Sequence, residues 1–573
     1  MKVTMGYLGH SGLRTDSSGS RILQMAPNLA RDAVAFDAAL LEPLRFREAI
    51  SALHDVVIND LTFIPKDKTA YEQWKKEQAQ REAAIRQAAR EEARKELAER
   101  GRTKPSAELK RDYESALKHY WASRRALNSH LQRSNHELWR RLMPYDPVIT
   151  VADDVVFFEC FSTDESSYGC LTVDRESCFG ASGQTQLGTT NVDYSWDLYY
   201  NFQSLRTYRE TRFTIDPQGF DLQTTDRADY REEKIELPDG WLRGFMQLQS
   251  AMGLPMRRVK LSVATMYSLL AFLKRHKSKS SPRAIRFELT EGQPARLVLE
   301  PWEQPIESND AAYHGPVDEP IRIWGRRRLL TLARLLPLAQ EIDVYLLGTG
   351  LPSFWVVRMG NMRLTLGLSG WTANDWTRGS AVQMLMPPTS PSEPLVAAAA
   401  ESLSNRRTAT LGELARQLHS STAETAAAMN QLALRGQVIY DLHAAAFRWR
   451  QVLPMALSDR ELGPPHPEMA AARQIIIERK VIVETRDAAP RGGIVVVGKA
   501  ENKPCEAIVN GDGMVRKGRC VCGWHFKYGI RNGPCRHIQA LRDTVWMDQL
   551  TTGTDWYANR LRWSGQASEG ERR

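Results

Sequence analysis

From Ser106 onward, apolar residues return at a spacing of mostly three or four: Leu109, Tyr113, Ala116, Leu117, Tyr120, Leu127, Leu131, Leu138 and Leu142. That spacing sets them on one side of an α-helix, the side expected to be buried. Just upstream, residues 66–100 ("KDKTAYEQWKKEQAQREAAIRQAAREEARKELAER") contain no Gly or Pro and are dense in helix formers. Gly101 and Pro105 separate the two runs, so residues 66–145 are expected to form a long helical hairpin. Its Lys, Arg and Glu read most simply as a solvated face, with a docking arm for nucleic acid or a partner as the alternative. Residues 1–65 read as a polar start followed by irregular or helical material.

Past residue 146 the texture changes to short apolar runs, "PVITVADDVVFFECFS", "YGCLTV" and "RETRFTIDPQGFDLQT", the last turning at Asp216-Pro217-Gln218-Gly219. These are strand signals. Within 240–370 a helix, "LSVATMYSLLAFLKRHK", precedes a strand, a turn and a strand, "RAIRFELTEGQPARLVLEP". Farther on, "WGRRRLLTLARLLPLAQE" precedes "IDVYLLGTGLPSFWVVRMGNMRLTLGLSG" in the same order. The pattern suggests a duplicated helix-plus-hairpin unit, similar to those of sliding-clamp-like folds, inside a strand-rich α+β region spanning 146–385. Lys274, Arg275, Lys277 and Lys279, and again Arg326, Arg327 and Arg328, fall at helix ends in the two units. Such cations complement a helix terminus, stay solvated, or touch phosphate.

The Pro/Ser-rich stretch "MPPTSPSEP" (386–394) reads as a linker. Three short helical patterns follow. Thr410 is a candidate cap for the second, Ser421 and Glu424 make a capping box for the third, and Gly436 ends it. "VIYDLHAAAFRWRQ" then reads as two strands, so residues 395–455 resemble a winged helix-turn-helix. The third helix would read DNA in such a domain. Its expected exposed positions, Thr422, Glu424, Thr425, Gln431 and Arg435, offer little positive charge for phosphate, which favours a scaffold or protein-docking role.

Composition narrows the class. A chain of 573 residues with 42% hydrophobic and 25% charged residues is expected to be a soluble protein of several domains. No apolar run is long enough to cross a bilayer, and the first twenty residues lack the apolar stretch of a secretory signal. Seven cysteines, an odd number, argue against a disulfide framework and for the reducing cytoplasm. The net charge of +9 permits an acidic partner such as nucleic acid.

Three of those cysteines and two of the twelve histidines crowd into "CVCGWHFKYGIRNGPCRHIQALR", residues 520–542. On a strand, Cys520 and Cys522 would point to the same side. The strand is expected to continue, with Trp524, Phe526 and Tyr528 on one face and His525 and Lys527 on the other. "IRNGP" supplies a turn, Pro534 suits a helix's first turn, and Cys535 and His537 bracket the helix start. Three thiolates and an imidazole fit tetrahedral zinc, and four protein ligands close the site, which makes it structural and leaves no position to activate water. A redox pair would want C-x-x-C, and a zinc-bound sulfur is unavailable as a nucleophile.

The spacing C-x-C, twelve residues, C-x-H, with Gly-Pro before the third ligand and "HIQAL" after the fourth, resembles the SWIM zinc finger. The resemblance covers about residues 500–545 within a domain drawn at 470–550, and implies Cys520, Cys522, Cys535 and His537 as ligands of one zinc ion. It implies binding to DNA or to protein. Bacterial proteins of this build are often associated with MoxR-type AAA ATPases and von Willebrand A-domain proteins. Cys505 reads as a bystander near the site, His525 as exposed, and Cys160, Cys170 and Cys178 as core thiols.

Residues 503–543 carry +5 of the net charge. Arg516, Lys517, Arg519, Lys527, Arg531 and Arg536 are the candidate nucleic-acid contacts, and the aromatics are either stacking platforms or the module's small core. No P-loop, G-x-S-x-G elbow or H-E-x-x-H motif occurs. The expectation is a multidomain α+β chain: helical hairpin, mixed middle region, winged-helix-like domain, C-terminal ββα zinc finger and a tail at 551–573. Its expected role is that of a non-enzymatic nucleic-acid or protein interaction module. An adaptor of an AAA ATPase that touches no nucleic acid is the alternative, and an enzyme with a site within 150–300 is the third.

Overall fold

The computed structural model describes most of residues 4–58, 147–215, 231–370, 391–452 and 467–551, with a set of positions between 108 and 134. The chain divides into two units, residues 60–143 and the remainder. In the smaller unit the described positions, from Glu108 to Ser134, are helical and exposed. Apart from Ala116, Ala122 and Ala126 they are polar and complement the apolar stripe, with which Ala116 is counted. The first helical run, 66–100, lies outside the described residues, as do the turn at 216–219 and the tail.

The larger unit is mixed α+β with several sheets. Its first segment, expected to be a polar start and then irregular or helical material, is helical at 43–57 and carries strands before that. It forms β1 (Thr4–Leu8), β2 (Gly12–Thr15), β3 (Arg21–Met25) and β4 (Ala35–Ala39) before α1 (Pro43–Val57). These strands are too short to leave a clear alternation, and the sheet supplies what the local pattern lacks: β3 pairs in parallel with the distant β10 (Thr211–Ile215). α1 opens on Pro43 and buries Phe46, Ala49, Ile50, Leu53, Val56 and Val57. That stripe lies on β6 (Val155–Phe161) and β7 (Ser167–Asp174), which follow β5 (Val148–Val151). β6 is buried at every position, so its apolar run fits a strand covered on both faces.

α2 (Arg175–Cys178), β8 (Thr185–Gln186), β9 (Gly188–Asn191), β11 (Arg231–Ile235) and α3 (Asp239–Met252) lead into the duplicated region. There, β12 (Arg257–Leu261), α4 (Val263–Arg275), β13 (Ile285–Glu288), β14 (Arg296–Leu299) and β15 (Gln304–Ile306) form one unit. β16 (Ile321–Ile323), a 3-10 helix (Arg326–Leu335), β17 (Glu341–Leu346), β18 (Ser353–Met359) and β19 (Met362–Leu368) form the other. Each lends its first strand to the other's sheet: β12 pairs with β17 and β16 with β13. β19 pairs with β7, giving an eight-stranded sheet in the order β12-β17-β18-β19-β7-β6-β5-β9. The second unit's helix is 3-10 because its buried residues, Arg326, Leu329, Leu332 and Leu335, repeat every three positions, the period at which a 3-10 helix aligns its side chains. The expected basic cluster there is dispersed: Arg326 is buried against the Ala284 and Glu300 carbonyls, and Arg328 pairs with Asp164.

Residues 393–449 form α5 (Glu393–Arg406), β20 (Thr408–Ala409), α6 (Leu411–Gln417), α7 (Thr422–Leu434), β21 (Val438–Asp441) and β22 (Ala446–Trp449). Thr410 with Glu413 and Ser421 with Glu424 both close capping boxes, and Gly436 takes φ 75° after α7. The exposure expected along α7 holds for Glu424 but not for Thr425, and Thr422, Gln431 and Arg435 are half-buried. Thr425 is fully buried, and α7 packs against both α3 and α5. Its Asn430 hydrogen-bonds Ser250 of α3, while Gln431 and Arg435 hold Glu393 of α5. Helix spacing alone marks one buried side, but an Ala-rich helix fits closely between two others and loses most of the rest.

Ion pairs from β22 and its C-terminal end tie this region to the eight-stranded sheet. Arg450 and Glu159 on β6 pair with neither side chain exposed, and the Tyr168 hydroxyl donates to the same carboxylate. Arg448 bridges Asp441 and Asp154. Cys160, Cys170 and Cys178 are buried in this region, as expected of core thiols. Among the described residues, no helix is long and apolar enough to cross a membrane.

Candidate metal centre

The C-terminal segment forms α8 (Pro467–Ile477), β23 (Val481–Ala488), β24 (Ile494–Ala500), β25 (Lys503–Val509), β26 (Val515–Cys520), α9 (Gly523–Tyr528) and α10 (Arg536–Thr551). The strands make an antiparallel sheet in sequence order. Val496, Ala500, Ala507 and Val509 face the buried Ile538, Leu541, Val545 and Trp546 of α10. Gly518 permits the close approach at β26, where a Cβ would stand 2.8 Å from Ile538 Cδ1. The start of α10 is tied to α8: buried Glu468 accepts from the Arg536 backbone N–H at 2.8 Å and from its guanidinium. A carboxylate at that end also offsets the helix dipole.

Cys520 ends β26, Cys522 caps α9, Cys535 immediately precedes α10 and His537 lies in its first turn. The four donor atoms all lie within 4.8 Å of one another. Cys535 and His537 are essentially inaccessible, Cys522 is buried and Cys520 is half-buried. Sulfurs at ~2.3 Å from zinc in a tetrahedron stand about 3.8 Å apart, so this set needs only a small contraction to hold one ion. The arrangement is a Cys3His group able to bind a single metal, consistent with zinc.

One expectation is corrected here. Residues 523–528 form a helix and not a continuing strand. The Cys522 sulfur accepts the His525 N–H at 3.4 Å, capping a short turn that curls back over the cluster. Cys520 and Cys522 converge because the chain leaves the strand between them. The aromatics divide accordingly. Trp524 and Tyr528 lie 4.8 Å apart, with Trp524 packed on the core, whereas Phe526 is 94% exposed. His525 is half-buried and belongs to no metal-binding group.

Protons within the cluster are shared. The hydrogen bond from Cys535 is the main cause that lowers the Cys520 thiol, and Cys535 is raised in return. His537 presents Nδ1 to Cys520 at 3.6 Å and turns Nε2 toward Glu501 Oε2 at 3.5 Å. A carboxylate behind a ligand imidazole sets which nitrogen carries the proton and raises the basicity of the other. Glu501 went unnoticed in the sequence; it sits in the β24–β25 turn at φ 46°, and nothing local marks it. Glu468 was missed for the same reason. Cys505 lies outside the donor set, buried, its thiol pushed up to about 12 by burial first and by the neighbouring Cys520 sulfur next.

The six basic candidates are scattered. Lys517 pairs with Glu319 at 2.9 Å, Arg536 is held by Glu468, and Arg516 is half-buried. Arg519 and Lys527 are exposed, and Arg531 lies outside the described residues. Arg542 and Asp543, counted with the surface charge, form a buried pair at 2.5 Å.

Fold and site together define a mixed α+β protein with, among the described residues, one Cys3His group that could hold a metal ion. No family model and no curated protein matches the chain. Among solved structures it is similar to the Proliferating Cellular Nuclear Antigen from Entamoeba histolytica, at 12% identity and a TM-score of 0.26, over 39% of this chain and 89% of that one. It is similar also to A. fulgidus PCNA bound to the C-terminal region of FEN-1, at 12% identity and a TM-score of 0.26, over 40% and 90% of the two chains. Likeness at that level carries no argument about function.

Proposed function

We propose that residues 467–551 form a SWIM-type zinc finger whose single zinc is structural, and that the module is a non-enzymatic, cytoplasmic interaction element for nucleic acid. The convergence of four donors on one point, with no fifth protein group among them, carries the zinc reading. A closed site of this kind stabilises fold and leaves substrate no coordination position. The nucleic-acid reading draws on Phe526, exposed beside Lys527 and outside the packed pair Trp524–Tyr528. A lone aromatic among cations suits base stacking, with charge supplied by Lys527 and Arg519. Residues 393–452 resemble a winged helix, and we assign them a scaffold role because α7 is enclosed by α3 and α5.

The test is elemental analysis together with titration of labelled single-stranded and duplex DNA at several salt concentrations. One zinc per chain is expected, with affinity that falls steeply as salt rises and drops on reversing Arg519 and Lys527. Absence of binding at low salt overturns the nucleic-acid reading. The enclosed α7 also favours a second reading, an adaptor for a MoxR-type AAA ATPase and its von Willebrand A-domain partner. That reading expects salt-tolerant co-purification of an ATPase, indifferent to those reversals.

A further inference from the structure

Cys505 and Cys520 are direct partners in the antiparallel pairing of β25 with β26. Directly opposed residues send their side chains to the same face, with Cβ atoms about 4.5–5.5 Å apart. A disulfide asks for a Cα separation of roughly 4.4–6.8 Å and Cβ atoms slightly closer than this pairing leaves them. Here that face is the one under α10, where the Cys505 sulfur lies 3.8 Å from the His537 carbonyl. A fifth sulfur therefore stands behind the metal-binding group without belonging to it.

We infer that Cys505 and Cys520 are a disulfide-forming pair masked by the metal, and that oxidation of Cys520 by a peroxide joins them and releases the ion. The inference rests on the zinc reading above. Cys520 is the most accessible of the four ligands and Cys505 is buried, so a small oxidant meets Cys520 first. On letting go of the ion, the Cys520 thiolate attacks hydrogen peroxide, becoming a sulfenic acid as the O–O bond breaks and hydroxide leaves. The Cys505 sulfur then attacks the sulfenic sulfur, the S–O bond breaks, and water departs with the Cys505 proton. Peroxide takes up two electrons and the thiol pair loses two. With one ligand consumed, three remain and the ion is released.

The sheet selects Cys505, which is no ligand, over the ligand cysteines Cys522 and Cys535 as the partner of Cys520. β25 and β26 hold the Cys505 and Cys520 backbones together through their own hydrogen bonds, whereas Cys522 and Cys535 lie outside the sheet and are not paired with Cys520 by backbone hydrogen bonds of a strand ladder. Once the ion leaves, the strand pair persists.

The experiment uses the full chain, isolated under reducing conditions and freed of reductant, then titrated with hydrogen peroxide. Released zinc is read with a chromophoric chelator, and disulfides are mapped by mass spectrometry after alkylation. One zinc released per Cys505–Cys520 bond is expected, reversed by dithiothreitol and added zinc. Cys505→Ser and Cys505→Ala should each bind one zinc as the parent does. After peroxide they should accumulate sulfinic acid at Cys520 and, once reduced, recover only a minor fraction of their zinc. Bonds confined to Cys520, Cys522 and Cys535 with Cys505 still alkylatable overturn the inference and leave the zinc reading intact. So does loss of zinc from both Cys505 variants before oxidation. A parent chain that carries no zinc overturns both.

Discussion

Cys522 has two roles that can be separated. Its sulfur is a donor in the metal-binding group and also accepts the His525 N–H at the start of α9. Serine is a good helix cap and a poor zinc ligand. Cys522→Ser is therefore expected to keep the turn's hydrogen bond yet lose the ion, with limited proteolysis opening residues 467–551 and elemental analysis finding no zinc. Glu501→Gln removes the charge behind His537 and should weaken metal affinity ~10-fold or more, as measured by competition with a chelator. Acid sensitivity has a source in His54, buried and stacked on Tyr199 at 3.8 Å between ring centroids. Burial first, and Arg334 second, lower its pKa from 6.5 to about 4. The unfolded chain thus takes up a proton at His54 before the folded one does. Stability that is full above pH 6.5 falls as pH drops toward 4, by roughly 3 kcal/mol at most. Urea unfolding across that window should show a flatter profile for His54→Phe than for the parent.

At the scale of elements, caps were legible and surroundings were not. Thr410, Ser421 and Gly436 mark the ends of α6 and α7 because capping is a local transaction between residues three or four apart. The enclosure of α7 depends on α3, nearly two hundred residues earlier in the chain, and on the Ser250–Asn430 contact. For the same reason the pairing of Arg450 with Glu159 has no counterpart in any local pattern. Removing one partner strands a buried charge, so Glu159→Gln and Arg450→Met should each cost ~3–5 kcal/mol in urea unfolding, and the double variant less than their sum.

Across the whole molecule, the metal-bearing module meets the rest of the larger unit through modest contacts. Lys517 reaches Glu319, and Met514 fills the space beside Gly348 and contacts Arg257. The strands and helices of residues 467–551 pack chiefly on one another, so chelation is expected to unfold residues 467–551 while the eight-stranded sheet survives. Thermal scans followed by far-UV circular dichroism should then split into two transitions, the lower one abolished by restoring zinc. A single transition unmoved by chelator would show that the ion contributes nothing to stability.

What the amino-acid order determined by itself is whatever depends on near neighbours. Four candidate ligands of two types at C-x-C and C-x-H spacing, the helix caps, the helix-plus-hairpin duplication and the short apolar strands of β5–β7 belong there. The tertiary structure alone decided which strands exchange between the duplicated units, that residues 523–528 form a helix, and that Phe526 is exposed while Trp524 packs. It also decided that Cys505 faces Cys520. Pairing between distant segments is selected by the total apolar surface they bury together, a quantity no short window of sequence contains.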